Sequence, residues 1–231
     1  YVRPIKESKF PGIKGLELDG FKRQLDYFTD KFSIVSTEQV INAAKYSARL
    51  PKDACWLTFD DGYENFLSNA LPILKHFGFK ATVYIVSDLI GAYNQWDLNA
   101  GISKNKLMTE SQIRQCLQDG MEIGCHGATH LSLVDPSADL ETEITRAKHD
   151  LEAVIQRPTT AFCYPYGHFD VTTVRAVEGK GFSSAVTMTR SRARSDDDLF
   201  KLPRIPITWH TLPHLFLAKI LTTYEDQRKY A

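Results

Sequence analysis

Two short stretches carry side chains that could do chemistry together. In Thr58-Phe59-Asp60-Asp61-Gly62, an apolar run from Ala54 ends in two adjacent carboxylates and a glycine. In Gly124-Cys125-His126-Gly127-Ala128-Thr129-His130, two imidazoles stand four residues apart. Adjacent carboxylates repel, and burial sharpens the repulsion. A cation held between them, or beside one of them, relieves it. One carboxylate of the pair with His126 and His130 makes a zinc-type ligand set with positions left for water and substrate. The second carboxylate could then take the proton of a metal-bound water, whose pKa a divalent cation lowers toward ~7. On a helical turn the histidine spacing sets both rings on one side. Each stretch alone has a plainer reading: an exposed Asp-Asp-Gly turn, or a surface histidine beside a core one. Their combination is what argues for a site.

Both stretches follow apolar runs that read as strands. Residues 54–59 have no polar face, as expected of a strand buried in a parallel sheet. Further strands are expected over 80–86, 121–125, 160–163, 184–189 and 202–208. Helical spacing marks Phe21, Leu25, Phe28 and Phe32, then Phe66 to Phe77 around Pro72. It also marks Leu140, Ile144, Ala147, Leu151 and Val154 in a helix opened by Asp135-Pro136, and Val171 to Val177. Ser36 with Gln39, and Thr109 with Gln112, have the form of capping boxes. A closing helix runs from Leu215 to about Tyr224. Residues 1–16 read as an irregular lead-in, 88–108 as a long loop serving a site, and 190–198 as a solvated loop. Alternation of strand and helix implies a parallel α/β architecture, open or closed into a barrel. In such a sheet the strand ends that carry Asp60, Asp61, His126 and His130 meet at one rim.

The 231 residues suit one domain, with 43% hydrophobic and 24% charged residues. The expected division is a lead-in with helices over 1–50, a core barrel over 51–208 and a C-terminal helix over 209–231. Lys+Arg and Asp+Glu both number 28, so bulk charge gives no reason to expect a nucleic-acid partner. No apolar run approaches the ~20 residues of a membrane span. Cys55, Cys116, Cys125 and Cys163 lack C-x-x-C spacing and read as buried thiols, which leans toward a reducing, cytoplasmic compartment. Secretion or a cell-envelope location stays open if a further N-terminal segment precedes Tyr1. Oligomeric state is not readable.

Taken in order, Thr58-Phe59-Asp60-Asp61-Gly62, His126-Gly-Ala-Thr-His130 and Tyr164-Pro165-Tyr166-Gly167 resemble the polysaccharide deacetylases of carbohydrate esterase family 4, the NodB homology domain. The resemblance covers about residues 50–190. It implies a distorted (β/α)₇ barrel, TIM-barrel-like, that removes an N-acetyl group from an N-acetylated sugar or polysaccharide by attack of metal-bound water. It implies Asp60 as general base and Asp61, His126 and His130 as ligands of a divalent metal. Zn²⁺ is the first expectation, and Co²⁺, Ni²⁺ or Fe²⁺ suit the same set. It also implies that the Tyr166 N–H, in the Pro165-Tyr166-Gly167 turn, helps hold the oxyanion.

The chain departs from the family in three places. The arginine that many members carry in the third motif falls at Cys163, and Arg204 is the candidate to replace it. The late Asp/Trp motif is not recognisable, which leaves Trp56, Trp96 and Trp209 as candidate pocket walls. The histidine general acid is unclear: His210 is the better candidate, His214 falls in a helix pattern, and His168 reads as a loop residue near substrate. Tyr1-Val2-Arg3 looks like the residues just after a Tyr-His pair that some relatives place on an N-terminal strand. Two other readings remain: an amide hydrolase acting on a small non-carbohydrate substrate, and an inactive carbohydrate-binding relative.

Overall fold

The computed structural model of the protein describes residues 2–3, 16–98, 102–208 and 211–228. In chain order the strands are β1 (Val2–Arg3), β2 (Leu16–Glu17), β3 (Ser33–Ile34), β4 (Ala54–Cys55), β5 (Thr58–Phe59), β6 (Thr82–Ile85), β7 (Glu122–Cys125), β8 (Ala161–Cys163), β9 (Ser184–Arg190) and β10 (Leu202–Arg204). The helices are α1 (Leu18–Lys31), α2 (Thr37–Tyr46), α3 (Leu71–Phe77), α4 (Gln95–Leu98), α5 (Glu110–Gln118), α6 (Ala147–Ile155), α7 (Val171–Gly179) and α8 (Pro213–Leu221). Strands β5 to β10 pair in strict chain order, all parallel, into one six-stranded sheet. Each crossover of a parallel sheet has the same hand, so chain-order winding keeps turning one way. The sheet accordingly curls into the distorted barrel that the resemblance implies. The other described strands form two small parallel pairs, β1 with β2 and β3 with β4.

Burial explains the apolar character of the strands. All of Thr82–Ile85 and Ala161–Cys163 is buried, between the sheet interior and the helices outside. The expected helix stripes face this core, through Phe21, Leu25 and Phe28 of α1 and Ala147, Leu151 and Ile155 of α6. Phe28 also meets Phe216 of α8 edge-on at 5.7 Å, which docks the closing helix. Both capping boxes form, Ser36 with Gln39 and Thr109 with Gln112. Pro72 lies where a π-helical stretch, Phe66–Ala70, passes into α3, so the two form one helix with the proline at their junction. All four cysteines are free thiols.

Three expectations change. The apolar run 54–59 is two strands: β4 pairs with β3, whereas β5 pairs with β6 in the large sheet. Apolar character reports burial, not which sheet does the burying. Asp135 opens no helix, since its carboxylate caps a local turn through Ser137. The helical backbone starts at Leu140 with a π-helical stretch, Glu141–Arg146, where Asp139 accepts from the Thr142 hydroxyl. The last strand ends at Arg204 rather than at Thr208.

Candidate metal centre

The C-terminal ends of the parallel strands bring the expected residues together. Asp60 and Asp61 follow β5, His126 follows β7, Tyr166 lies beyond β8, and Arg204 ends β10. Asp61 Oδ1 stands 3.2 Å from His126 Nε2 and 3.3 Å from His130 Nε2. The ligand atoms of Asp61, His126 and His130 lie within 4.8 Å of one another. The histidine segment is not the helical turn its spacing suggested. It is a loop with φ +78 at Gly127 and 66 at His130, and the two rings meet edge to face with centroids 4.8 Å apart.

The donor set fits a cation. His126 Nδ1 lies 2.7 Å from the Cys163 carbonyl, which only accepts, so the proton sits on Nδ1. Its Nε2 faces Asp61 Oδ1: with a proton it donates to that carboxylate, and once a cation takes the proton's place its lone pair is aimed at the same point. A hydrogen-bonded second nitrogen is the usual support of a ligating imidazole. Burial alone would raise the Asp61 carboxyl, but hydrogen bonds from His126 and His130 hold it well below the usual carboxylate range. Burial lowers the His130 pKa, against the pull of Asp61, and favours the neutral ring that a metal needs.

Asp60 has a separate partner. Arg204 Nη1 donates to Asp60 Oδ1 at 2.7 Å and Nη2 to Oδ2 at 2.8 Å, a two-pronged pair. Its Nε donates to the Thr187 carbonyl at 2.8 Å, which orients the fork. Burial would raise the Asp60 carboxyl, and the Arg204 charge and hydrogen bonds outweigh it and keep the group ionised. Arg204 thus stands beside the position where the third motif has Cys163, whose Sγ is 3.3 Å from Arg204 Nη2. Asp60, His126 and Cys163 also lie close enough to share an ion, a grouping that the reading of Cys163 as a plain buried thiol left out. A cation there would meet the guanidinium already bound to Asp60.

Backbone strain gathers at the same place. Among the described residues, six that are not glycine have positive φ, and Asp61 (75), His130 (66) and Tyr166 (58) are three of them. Such conformations persist where surrounding contacts over-determine them, commonly at functional sites. Tyr166 is half exposed at the mouth, its ring 4.6 Å from that of His130. Pro165 packs toward Gly127, and Gly167 lies against Met188.

The loop after β6 supplies one wall. Trp96 of α4 stacks on His130 with centroids 4.2 Å apart. Tyr63 donates to Asp97 at 3.1 Å, and buried Asn94 ties the loop to Asp97, Ser103 and Asn105. Trp56, by contrast, is no wall of the site: its indole donates to Thr82 Oγ1, at the start of β6 and the opposite end of the strands. Trp209 and His210 lie outside the described residues, as does Tyr1. His214, His76 and His149 are exposed on helices, and His168 meets Ser132 at 3.0 Å in a loop. Sequence reasoning missed Glu143, whose carboxylate holds the histidine loop. Its helix repeat marks it only as a polar position.

The chain is similar to several known proteins. The Bacillus subtilis (strain 168) protein YxkH is 29% identical over 161 residues, 68% of this chain and 53% of its own length. A poly-β-1,6-N-acetyl-D-glucosamine N-deacetylase of Staphylococcus epidermidis is 24% identical over 198 residues, 81% of this chain and 66% of its own. The chain therefore spans about half to two thirds of these relatives. The solved Streptococcus pyogenes deacetylase PplD, in complex with acetate, superposes with a TM-score of 0.80 at 26% identity, over 95% of this chain and 94% of that one. A profile of the polysaccharide deacetylase family matches residues 47–185, which include Asp60, Asp61, His126, His130 and Tyr166. That match covers more than half of the sequence, and the chain belongs to the polysaccharide deacetylase family.

Proposed function

We propose that the protein is a metal-dependent hydrolase that removes the acetyl group from an N-acetylated amino sugar or its polymer. The observation that carries this reading is the pairing of two devices at one mouth: a carboxylate–imidazole cluster, and beside it Asp60 held ionised by Arg204. Asp61, His126 and His130 would hold the cation, with zinc the first choice for one carboxylate and two imidazoles. Such an ion supplies Lewis acidity, lowering a water's pKa toward ~7 and stabilising negative charge on the acyl oxygen.

The chain's own groups do the rest. Asp60 takes the proton as water adds to the acetyl carbonyl, and Arg204 keeps Asp60 anionic and correctly turned. The Tyr166 N–H donates to the oxyanion, a kind of contact whose loss costs about 10²–10³ in rate elsewhere. Collapse breaks the C–N bond, giving acetate and a free amine that must gain a proton. His210 is the candidate donor. The aromatic rings of Trp96 and Tyr166, both packed on His130, suit the apolar face of a sugar ring. A guanidinium that reaches Asp60 from β10 supplies the arginine that the third motif lacks, which favours turnover over an inactive binding relative.

Among the described residues no helix is long and apolar enough to cross a membrane. The free thiols favour a reducing compartment, and this location stands with the substrate as part of the proposal.

The test is acetate release from N-acetylglucosamine oligomers of β-1,4 and β-1,6 linkage and from small N-acetyl amides, with zinc and with chelator. Zinc-dependent release from the sugars is the expected result. Release from small amides alone would move the substrate away from carbohydrate. Tight sugar binding with no release under any metal would overturn the hydrolase reading.

A further inference from the structure

Glu143 is a buried carboxylate to which the proposed reaction gives no role. It is 3% exposed and lies in the π-helical stretch Glu141–Arg146. Its Oε2 accepts from the N–H groups of Ala128 at 2.9 Å and Thr129 at 3.1 Å, and its Oε1 from the Thr129 hydroxyl at 2.6 Å. All three donors belong to the loop between His126 and His130. The carbonyls of the same loop are held from the other side, Gly127 by the Ser87 N–H at 3.1 Å and Ala128 by the Asp88 N–H at 3.0 Å. The two clamps are themselves joined. Arg146, in the same π-helical stretch as Glu143, forks onto both Asp88 oxygens at 2.8 and 2.7 Å.

This arrangement has a specific consequence. Residues 127–130 hold two positive-φ positions, one of them His130, and left alone such a loop relaxes to less strained conformations. Hydrogen bonds to an ionised acceptor are the strong kind, and here they are buried. The fit is close on both sides: a Cβ at Gly127 would lie 3.0 Å from Glu143 Oε2. A π-helical turn inside an α-helix commonly marks a functional site, and this one carries the carboxylate that meets the loop.

We propose that Glu143 is the positioning residue of the metal centre. It fixes the peptide units of 127–129 so that the two imidazoles meet Asp61, and it thereby sets the affinity for the cation. The inference rests on the reading of Asp61, His126 and His130 as the metal set.

The test is Glu143→Gln, which keeps the shape but cannot accept from all three donors. Glu225→Gln serves as a control for stability alone. Glu225 is fully buried and takes Arg190 and Lys219, and these ion pairs involve no residue of the histidine loop. Zinc dissociation constants come from competition with a chromophoric chelator, and hydrogen exchange at the Ala128 and Thr129 amides is followed in the metal-free protein. The expected result for E143Q is zinc affinity lower by about 10–100-fold, as for other residues that support ligands, with faster exchange at both amides. Turnover should return toward the parent's at saturating zinc, and E225Q should bind zinc as the parent does. Equal zinc affinity in E143Q and parent overturns the proposal, as does an equal loss in E143Q and E225Q. A parent whose zinc binding is unaffected by Asp61→Ala overturns the metal reading itself, and the proposal with it. If E143Q does not fold, Thr129→Val removes one of the three donors and should weaken zinc about fivefold, one hydrogen bond's worth. An unchanged constant there overturns the proposal equally.

Discussion

Replacing Arg204 with methionine tests whether a cation brought in from β10 governs Asp60. The guanidinium spans both carboxylate oxygens at 2.7 and 2.8 Å, and the side chains are only 15% and 27% exposed. Opposite unit charges about 4 Å apart attract by about 4 kcal/mol at an effective dielectric constant of 20. Deleting one partner of a buried pair costs about 3–5 kcal/mol, because it strands the other charge. The water that reaches Asp60 places the expected loss near the lower end, about 3 kcal/mol. For a chain of this size that is a fall of about 6–12 °C in Tm.

The pH dependence follows from the direction of the Asp60 shift. With Arg204 present the carboxyl is depressed, so its stabilisation is complete above the unfolded value of ~3.9 and fades as pH falls through the native one. Without Arg204, burial and the Asp61 charge both push it up. The stability gap between parent and R204M should therefore be widest at neutral pH and close on acidification. The acid limb of kcat/KM for acetate release should move to higher pH, with a lower plateau. Melting curves and rate profiles across pH, run side by side, measure both. A superimposable acid limb with an unchanged Tm would refute the claim that Arg204 controls Asp60.

Asp60→Asn should lower turnover by about 10²–10⁴, the usual share of a general base, while zinc content stays at the parent level; substantial activity would remove Asp60 from the base role. Stripping the metal with a chelator should lower Tm, since a site saturated at 100 times its Kd adds about 2.7 kcal/mol, and His126→Ala should abolish that difference between zinc-loaded and stripped protein. Gly167→Ala should destabilise by about 2–4 kcal/mol in urea unfolding. It forces φ +71 on a residue with a Cβ and drives that atom to 2.6 Å from the Met188 backbone nitrogen, a combination of left-handed strain and overpacking.

What the sequence alone determined was chemistry and local form. Asp60-Asp61-Gly62 and His126-x-x-x-His130 announce a cation site because few other arrangements make those neighbours tolerable, and short-range sterics write the capping boxes and apolar stripes directly into residue order. A parallel α/β architecture was legible from strand–helix alternation, and the resemblance to the deacetylase family narrowed it to a distorted barrel. Convergence was left to tertiary structure. Arg204 meets Asp60 across 144 positions, and nothing local to either residue specifies that meeting. Chain-order pairing of six parallel strands carries both to the same rim. The split of 54–59 between two sheets was hidden for a related reason, since an apolar run reports only that it is buried. Glu143 was hidden most completely. Its sequence neighbours make it one more polar position on an amphipathic helix, and only the π-helical backbone and the loop packed against it turn that carboxylate toward the amides between the two histidines. Residue types and near-neighbour geometry are local quantities. Which distant groups share a site is decided by the packing of the whole sheet.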